Sequence, residues 1–271
     1  MESHKAINAN ATIAFNKQST VFDKIYAHNV IVDYKRERTR THLEKQLTSK
    51  SKVLELNSGT GEDALYFAQK GHTVHATDIS EGMLSQLGKK VTESGFSNFI
   101  TYEQISFDNL RDLTNKGPYD AIFSNFGGLN CSNNLNEILD SFSDLLKPEG
   151  VVTLTIMPSF CLWEFLTILK GNYSLAFRRF FAKDGAKAHI EGVYFLCWYY
   201  SPSYITKRLK KDFNLVAIEG LCTVVPPSYF EKFPNKYPKL FKYLIKLEKT
   251  VKSIAPFNYI GDYFIITLKK K

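Results

Sequence analysis

A short apolar run that breaks on glycine and opens directly into a helix constrains this chain more than any other feature. In Val53-Leu54-Glu55-Leu56-Asn57-Ser58-Gly59-Thr60-Gly61-Glu62-Asp63-Ala64, the first four residues read as a buried strand, and Asp63 to Lys70 reads as a helix. Between them, Gly59 and Gly61 can take backbone angles closed to other residues and leave room for a ligand near the main chain. The helix that follows presents free N–H groups and the positive end of its dipole, a setting for carboxylate or phosphate. A tight turn alone would explain the glycines, but it would not explain Asp78. That residue ends the next strand, 19 positions after Gly59, where a carboxylate can bond both hydroxyls of a ribose. Loop and acid together point to a ligand containing a nucleoside.

The same rhythm continues along the chain. Strands are expected at 73–77, 99–102, 119–123 and 151–156, with helices at 81–94 and 134–146 between them. Strands separated by helices of this length imply βαβ units and a parallel sheet, an α/β fold. Residues 20–48 read as helical, so 1–50 is expected to form an N-terminal helical cap on a core spanning 51–271. Two stretches interrupt that core. Residues 158–200 hold 12 aromatics, including both tryptophans, and are expected to form a lid. Residues 225–259 carry Pro226-Pro227, Pro234, Pro238 and a Lys-rich helix. A helix at 201–211 and strands at 213–218 and 263–268 complete the core.

In the Lys-rich helix, from Pro238 to Ile254, the residues Leu240, Tyr243, Leu244, Leu247, Val251 and Ile254 share one side. Lys239, Lys242, Lys246, Lys249 and Lys252 lie opposite. The stronger reading is an apolar stripe packed on the core beneath solvated lysines; peripheral membrane contact is the weaker one. The formal net charge of +8 favours anionic partners or a basic, soluble surface. No Arg-rich arm, zinc-finger spacing or RNA-binding signature accompanies it, which argues against nucleic acid. The four cysteines form no CxxC pair, and no metal site is expected. Met1 to Lys5 has no apolar core behind it, and the apolar stretch Phe160–Leu169 is broken by Glu164, so a cytoplasmic protein is expected.

Which nucleoside ligand is bound turns on three points, because Gly59-Thr60-Gly61-Glu62-Asp63-Ala64 also fits a dinucleotide fingerprint ending in alanine. Glu55 sets a carboxylate at the strand end, which repels a pyrophosphate and suits an ammonium. About 50 residues precede this strand, where a dinucleotide domain usually starts promptly. The third point is Leu145-Leu146-Lys147-Pro148-Glu149-Gly150, which precedes a strand in the manner of another family.

Taken with Asp78-Ile79-Ser80, Tyr119-Asp120-Ala121-Ile122 and Val21-Phe22-Asp23-Lys24-Ile25-Tyr26, these segments resemble the class I S-adenosylmethionine-dependent methyltransferases. The small-molecule branch that includes the ubiquinone and menaquinone biosynthesis enzymes is the most similar. The resemblance implies a Rossmann-like sheet of seven strands, mostly parallel with the last antiparallel. It implies S-adenosylmethionine as cofactor, S-adenosylhomocysteine as product, and a small, apolar or aromatic acceptor. By the same resemblance Asn57, Gly59 and Gly61 form the cofactor-binding loop, Glu55 holds the methionyl end, Asp78 the ribose, and Ile79 with Met83 the adenine. Ser106 and Phe107 contact the adenine edge, and Asn125 with Phe126 line the methyl-donor site. Asn57 stands where the family commonly has glycine; asparagine tolerates left-handed backbone better than most residues.

Gly127-Gly128 replaces the two prolines that methyltransferases acting on nucleobase or glutamine amides carry after Asn125, which argues against those substrates. The acceptor side is expected to draw on Tyr26, Asn130, Trp163, Arg178, Arg179, His189 and Trp198. Neither His28, His75 nor His189 is assigned as a base: His75 reads as a packed strand residue and His189 as a surface one. The other function classes are a nicotinamide-dependent oxidoreductase and a non-catalytic nucleoside-binding or membrane-associated protein.

Overall fold

The computed structural model describes residues 2–271, with side chains from residue 9 onward; Met1 and the side chains behind the Met1–Lys5 reading lie outside the described residues. In chain order the elements are α1 (Glu2–Gln18), α2 (Phe22–Tyr26), α3 (Val30–Glu44), β1 (Lys52–Leu56), α4 (Glu62–Gln69) and β2 (Thr73–Asp78). There follow α5 (Glu81–Glu93), β3 (Ile100–Gln104), β4 (Tyr119–Ser124), α6 (Leu135–Leu145), β5 (Leu146–Ile156), α7 (Leu162–Phe165) and α8 (Tyr173–Phe177). The chain closes with β6 (Ala186–Ile190), β7 (Val193–Cys197), α9 (Pro202–Leu209), β8 (Phe213–Leu221), α10 (Phe233–Lys236), α11 (Pro238–Val251) and β9 (Tyr263–Lys270).

Seven strands form one sheet in the order β3-β2-β1-β4-β5-β9-β8. The first five run parallel, and β9 slots between β5 and β8, antiparallel to both. This is the Rossmann-like sheet expected, with its last strand reversed. Because side chains alternate across a strand, β1 feeds both faces. Leu54 and Leu56 join Ile122, Val152, Phe142 and Leu209 on one side. Val53 joins Phe67, Leu87, Ala121 and Leu43 on the other. Helices therefore cover both faces, as the continuous apolar character of the central strands requires.

Local chemistry sets the helix starts. Ser80 caps α5, its Oγ accepting the Met83 N–H at 3.1 Å. Asn29 caps α3 through bonds from the N–H groups of Ile31 and Val32 at 3.1 and 3.2 Å. That cap separates α2 from α3, so the stretch 20–48 is two helices and a break. Ahead of them α1 packs on α5 and on the β6–β7 hairpin, with Phe15 against Phe195 at 5.8 Å. The hairpin is a second, two-stranded sheet inside the aromatic stretch, where the sequence pattern showed none.

The orientation of α11 corrects the reading from periodicity. Phe241, Leu244, Ile245 and Glu248 face inward. Leu240 (47 % exposed), Tyr243 (61 %), Leu247 (36 %) and Ile254 (54 %) face out. The cause is Glu248, which is fully buried. Its carboxylate accepts the backbone N–H groups of Cys222, Thr223, Val224 and Val225 at 3.0, 3.0, 2.9 and 2.8 Å, and the Tyr34 hydroxyl at 2.9 Å. Five donors on one carboxylate fix the helix's rotation more firmly than an apolar stripe does, because leaving that carboxylate unpaired in the interior is the costlier arrangement. Among the described residues no helix is long and apolar enough to cross a membrane.

Candidate functional site: a nucleoside cavity at the strand ends

The C-terminal ends of β1, β2 and β4 open on a cavity of about 320 Å³, on the edge where open α/β sheets hold their ligands. After β1 the chain turns through left-handed backbone, with Asn57 at φ 48°, Gly59 at 55° and Gly61 at 84°. A Cβ on Gly61 would stand 2.7 Å from Leu87 Cγ, so that glycine packs α4 against α5. A Cβ on Gly59 would meet no protein atom within 4 Å, leaving its cavity-lining main chain open to a ligand.

Asp78, buried at the end of β2, accepts the Gly59 N–H through one oxygen and the Ser80 N–H through the other, both at 2.9 Å. Burial raises its carboxyl above the usual carboxylate range, and these N–H groups pull it back. Glu55 is also buried, and burial pushes its carboxyl well up; Asp63 adds to the rise, while Arg40 and Arg36 oppose it. Its Oε2 is buried without a hydrogen-bond partner. Asp63 is held by Arg40 at 2.5 Å and by the Asn125 amide at 3.0 Å. At the end of β4, Phe126 takes φ 54°, a conformation rarely adopted by an aromatic residue and one that marks stored strain beside a site.

Glu55, Asn57, Gly59, Asp78, Ile79, Met83, Ser106, Phe107, Asn125 and Phe126 all line this cavity; Gly61 does not, and packs on Leu87 instead. The acceptor side differs from the sequence expectation. Tyr26 lines the cavity, but Asn130, Trp163, Arg178, Arg179, His189 and Trp198 do not. Arg179 is buried and donates to Glu164 at 2.8 Å, Asp262 at 3.0 Å and the Pro158 carbonyl at 3.1 Å. Arg178 donates to the same Glu164 at 2.6 Å. Asn130 is fully buried and ties the Trp198 carbonyl (2.6 Å) to the Met157 N–H (2.9 Å). Trp163 packs on Phe230 at 5.5 Å, and His189 is exposed beside Tyr194. His75 bonds Thr101 at 2.8 Å and Glu103 at 3.2 Å inside the sheet.

Of residues 158–200, only Ile190 reaches the cavity. The roof is instead Ala11, Phe15, Gln18, Phe22 and Tyr26 of α1 and α2. Two ties hold it down. Asn16 Oδ1 accepts the Ser80 hydroxyl at 2.6 Å and the Gly82 N–H at 2.9 Å. Asp23 accepts from the Thr60 hydroxyl at 2.6 Å and pairs with Lys90 at 2.7 Å. The sequence reading missed Lys35, Arg36, Asp63, Ser228 and Tyr263, which also line the cavity. The signal for Lys35 was its helical spacing from Ile31, Arg38 and His42, a buried face that carries charge. Cys161, Glu164 and Asp262 bring potential ligand atoms within 4.8 Å of one another, but the Arg179 guanidinium already bonds both carboxylates there.

Residues 53–150 match a family described as a methyltransferase domain. The match runs from within β1 into the start of β5, the stretch that builds the glycine loop and the first four strand ends. Two curated relatives agree. The “Putative methyltransferase YqeM” of Bacillus subtilis (strain 168) is 29% identical over 150 residues, covering 54% of this chain and 56% of that protein. Phosphoethanolamine N-methyltransferase of Plasmodium falciparum (isolate 3D7) is 28% identical over 157 residues, covering 55% and 57%. The chain thus spans a little over half the length of the curated relatives it matches. Among solved structures, 1,6-didemethyltoxoflavin-N1-methyltransferase of Burkholderia thailandensis shares the fold with a TM-score of 0.60 at 14% identity, over 99% of this chain and 90% of that one.

Proposed function

We propose that this chain transfers the methyl group of S-adenosylmethionine to a small-molecule acceptor held beneath its N-terminal cap. When bound, the sulfonium supplies an activated methyl: an acceptor lone pair forms the new bond to carbon, the carbon–sulfur bond breaks, and its electrons return to sulfur as S-adenosylhomocysteine. The observation that carries this reading is the buried, unpartnered Glu55 oxygen in the cavity that Asp78 also lines. A buried carboxylate oxygen without a donor calls for a cation, and the methionyl ammonium is one. Arg36, whose Nε is buried without a hydrogen-bond partner and lies 3.7 Å from Asp63, suits the methionyl carboxylate. Asp78 receives the ribose hydroxyls, Ile79 and Met83 pack on the adenine, and Ser106 with Phe107 meet its edge. Asn125 and Phe126 stand at the donor end.

For the acceptor, the chain mainly provides orientation and exclusion of water. No histidine is among the cavity-lining residues described. Burial raises the Tyr26 hydroxyl's pKa, so it serves as a hydrogen-bond donor rather than a base. An acceptor that ionises readily or presents a free lone pair needs no base beyond this.

Titration calorimetry with S-adenosylhomocysteine and, separately, with NAD⁺ tests the reading. Binding of the first and silence from the second is expected. The opposite pattern would replace the proposal with nicotinamide chemistry.

A further inference from the structure

Lys35 of α3 lines the cavity, and its side chain is almost wholly buried. Its ammonium stands 4.6 Å from the centre of the Tyr263 ring and 5.6 Å from that of Phe126. It donates to Ser228 Oγ at 2.9 Å and lies 3.7 Å from the Asp262 carboxylate. That carboxylate is already engaged by Arg179 at 3.0 Å, and Arg179 shares Glu164 with Arg178. Among the described residues this chain of contacts therefore joins three cations to two carboxylates. The groups nearby that could balance the charge stay neutral: burial pushes the Cys161 thiol and the Tyr199 hydroxyl each up to about 12, and Tyr263 well up. Of these three cations Lys35 has the most distant carboxylate, at 3.7 Å against 2.6–3.0 Å for the two arginines, and it alone lines the cavity.

We infer that the acceptor carries an anionic group, a carboxylate or a phosphate, and that Lys35 holds it. The inference rests on the methyl-transfer reading above and names the substrate class of that site. A desolvated ammonium with a distant, shared counter-ion is completed by a ligand anion, and a charge-assisted bond in a dry site is a strong one. The same geometry disfavours an ammonium acceptor. Such a group would seek the faces of Phe126 and Tyr263. Lys35 covers both, and the Arg36 guanidinium stands 5.1 Å from Phe126. Arg36 belongs to the cofactor end, because its Nε lies 3.7 Å from Asp63, which Arg40 and Asn125 also hold, whereas Lys35 lies against Ser228, Asp262 and Tyr263. Lys35 is thus left for the acceptor.

The experiment uses the full chain saturated with S-adenosylhomocysteine and four fluorinated probes followed by ¹⁹F NMR. These are 4-fluorobenzoate, 4-fluorophenyl phosphate, 4-fluorobenzamide and 4-fluorobenzylamine. At least one anionic probe is expected to bind roughly tenfold or more tighter than the amide, and the amine weakest. Lys35→Met should abolish the preference while leaving the amide and S-adenosylhomocysteine within about twofold of wild type, and Lys35→Arg should restore most of it. The stronger of the two anionic probes assigns carboxylate or phosphate. Equal binding of charged and neutral probes by wild type, tightest binding of the amine, or an anion preference that survives Lys35→Met overturns the inference. The probe comparison in wild type decides even where Lys35→Met fails to fold. Failure of S-adenosylhomocysteine itself to bind overturns the methyl-transfer reading instead, so the two failures are distinguishable.

Discussion

Replacing Asp78 with alanine removes a carboxylate whose two oxygens already accept the Gly59 and Ser80 N–H groups, each at 2.9 Å. A carboxylate has about four acceptor sites, so about two remain for a ligand, the number a ribose cis-diol needs. A hydrogen bond to a charged group contributes about 1.5–3 kcal/mol, so losing two weakens S-adenosylhomocysteine binding by about 3–6 kcal/mol, or roughly 10²–10⁴-fold in Kd. The two N–H groups left unpaired also destabilise the ligand-free protein, by about 1–3 kcal/mol each where water does not reach them. Titration calorimetry measures the first effect, and urea unfolding without ligand measures the second. Asp78→Asn, which keeps the size and one carbonyl oxygen, should fall between wild type and alanine in both. A folded Asp78→Ala protein that binds S-adenosylhomocysteine within about threefold of wild type would refute the reasoning.

Two further perturbations test the site's electrostatics. Burial raises the Glu55 pKa in the folded, ligand-free chain, so its carboxyl keeps its proton longer than in the unfolded chain. Stability from this group therefore falls as pH rises above the ordinary carboxylate value of about 4.3. An ammonium beside Glu55 lowers that pKa, so S-adenosylhomocysteine binding should release a proton and tighten with pH over the same interval. Calorimetry in buffers of different ionisation enthalpy reads the proton, and no release there would count against Glu55 as the ammonium's partner. Arg179→Met removes the shared partner of the buried Glu164 and Asp262, leaving Arg178 on the first and Lys35 3.7 Å from the second, and should lower stability by up to about 3–5 kcal/mol while leaving S-adenosylhomocysteine affinity nearly unchanged. Normal stability with lost cofactor binding would instead place Arg179 in the site.

The parallel sheet and the glycine loop were legible because each rests on a local rule. Apolar runs flanked by helices set the strands, and backbone torsion explains Asn57, whose φ of 48° is one that asparagine tolerates. The acids were legible for a related reason: Asp78 and Glu55 sit at strand ends, and strand ends are found from sequence. What stayed hidden depends on partners distant in sequence. Periodicity assumes that carboxylates face water, so it turned α11 the wrong way, since Glu248 is the anchor of the loop after β8. The inward face of α3 stayed hidden as well, because it carries Lys35, Arg38 and His42. Arg178 and Arg179 looked available for a substrate anion, but Glu164 and Asp262, which engage them, are unrelated to them by any sequence pattern.

The cap is fastened to the parts of the domain that grip the nucleoside. Asn16 bonds the first turn of α5, directly after Asp78, and Asp23 bonds Thr60 inside the glycine loop. Roof and floor thus share their fastenings, and α1 and α2 cannot lift without slackening the segments that hold the cofactor. On the methyl-transfer proposal, the roof over the acceptor and the loop around the cofactor are held by the same side chains, Asn16 and Asp23.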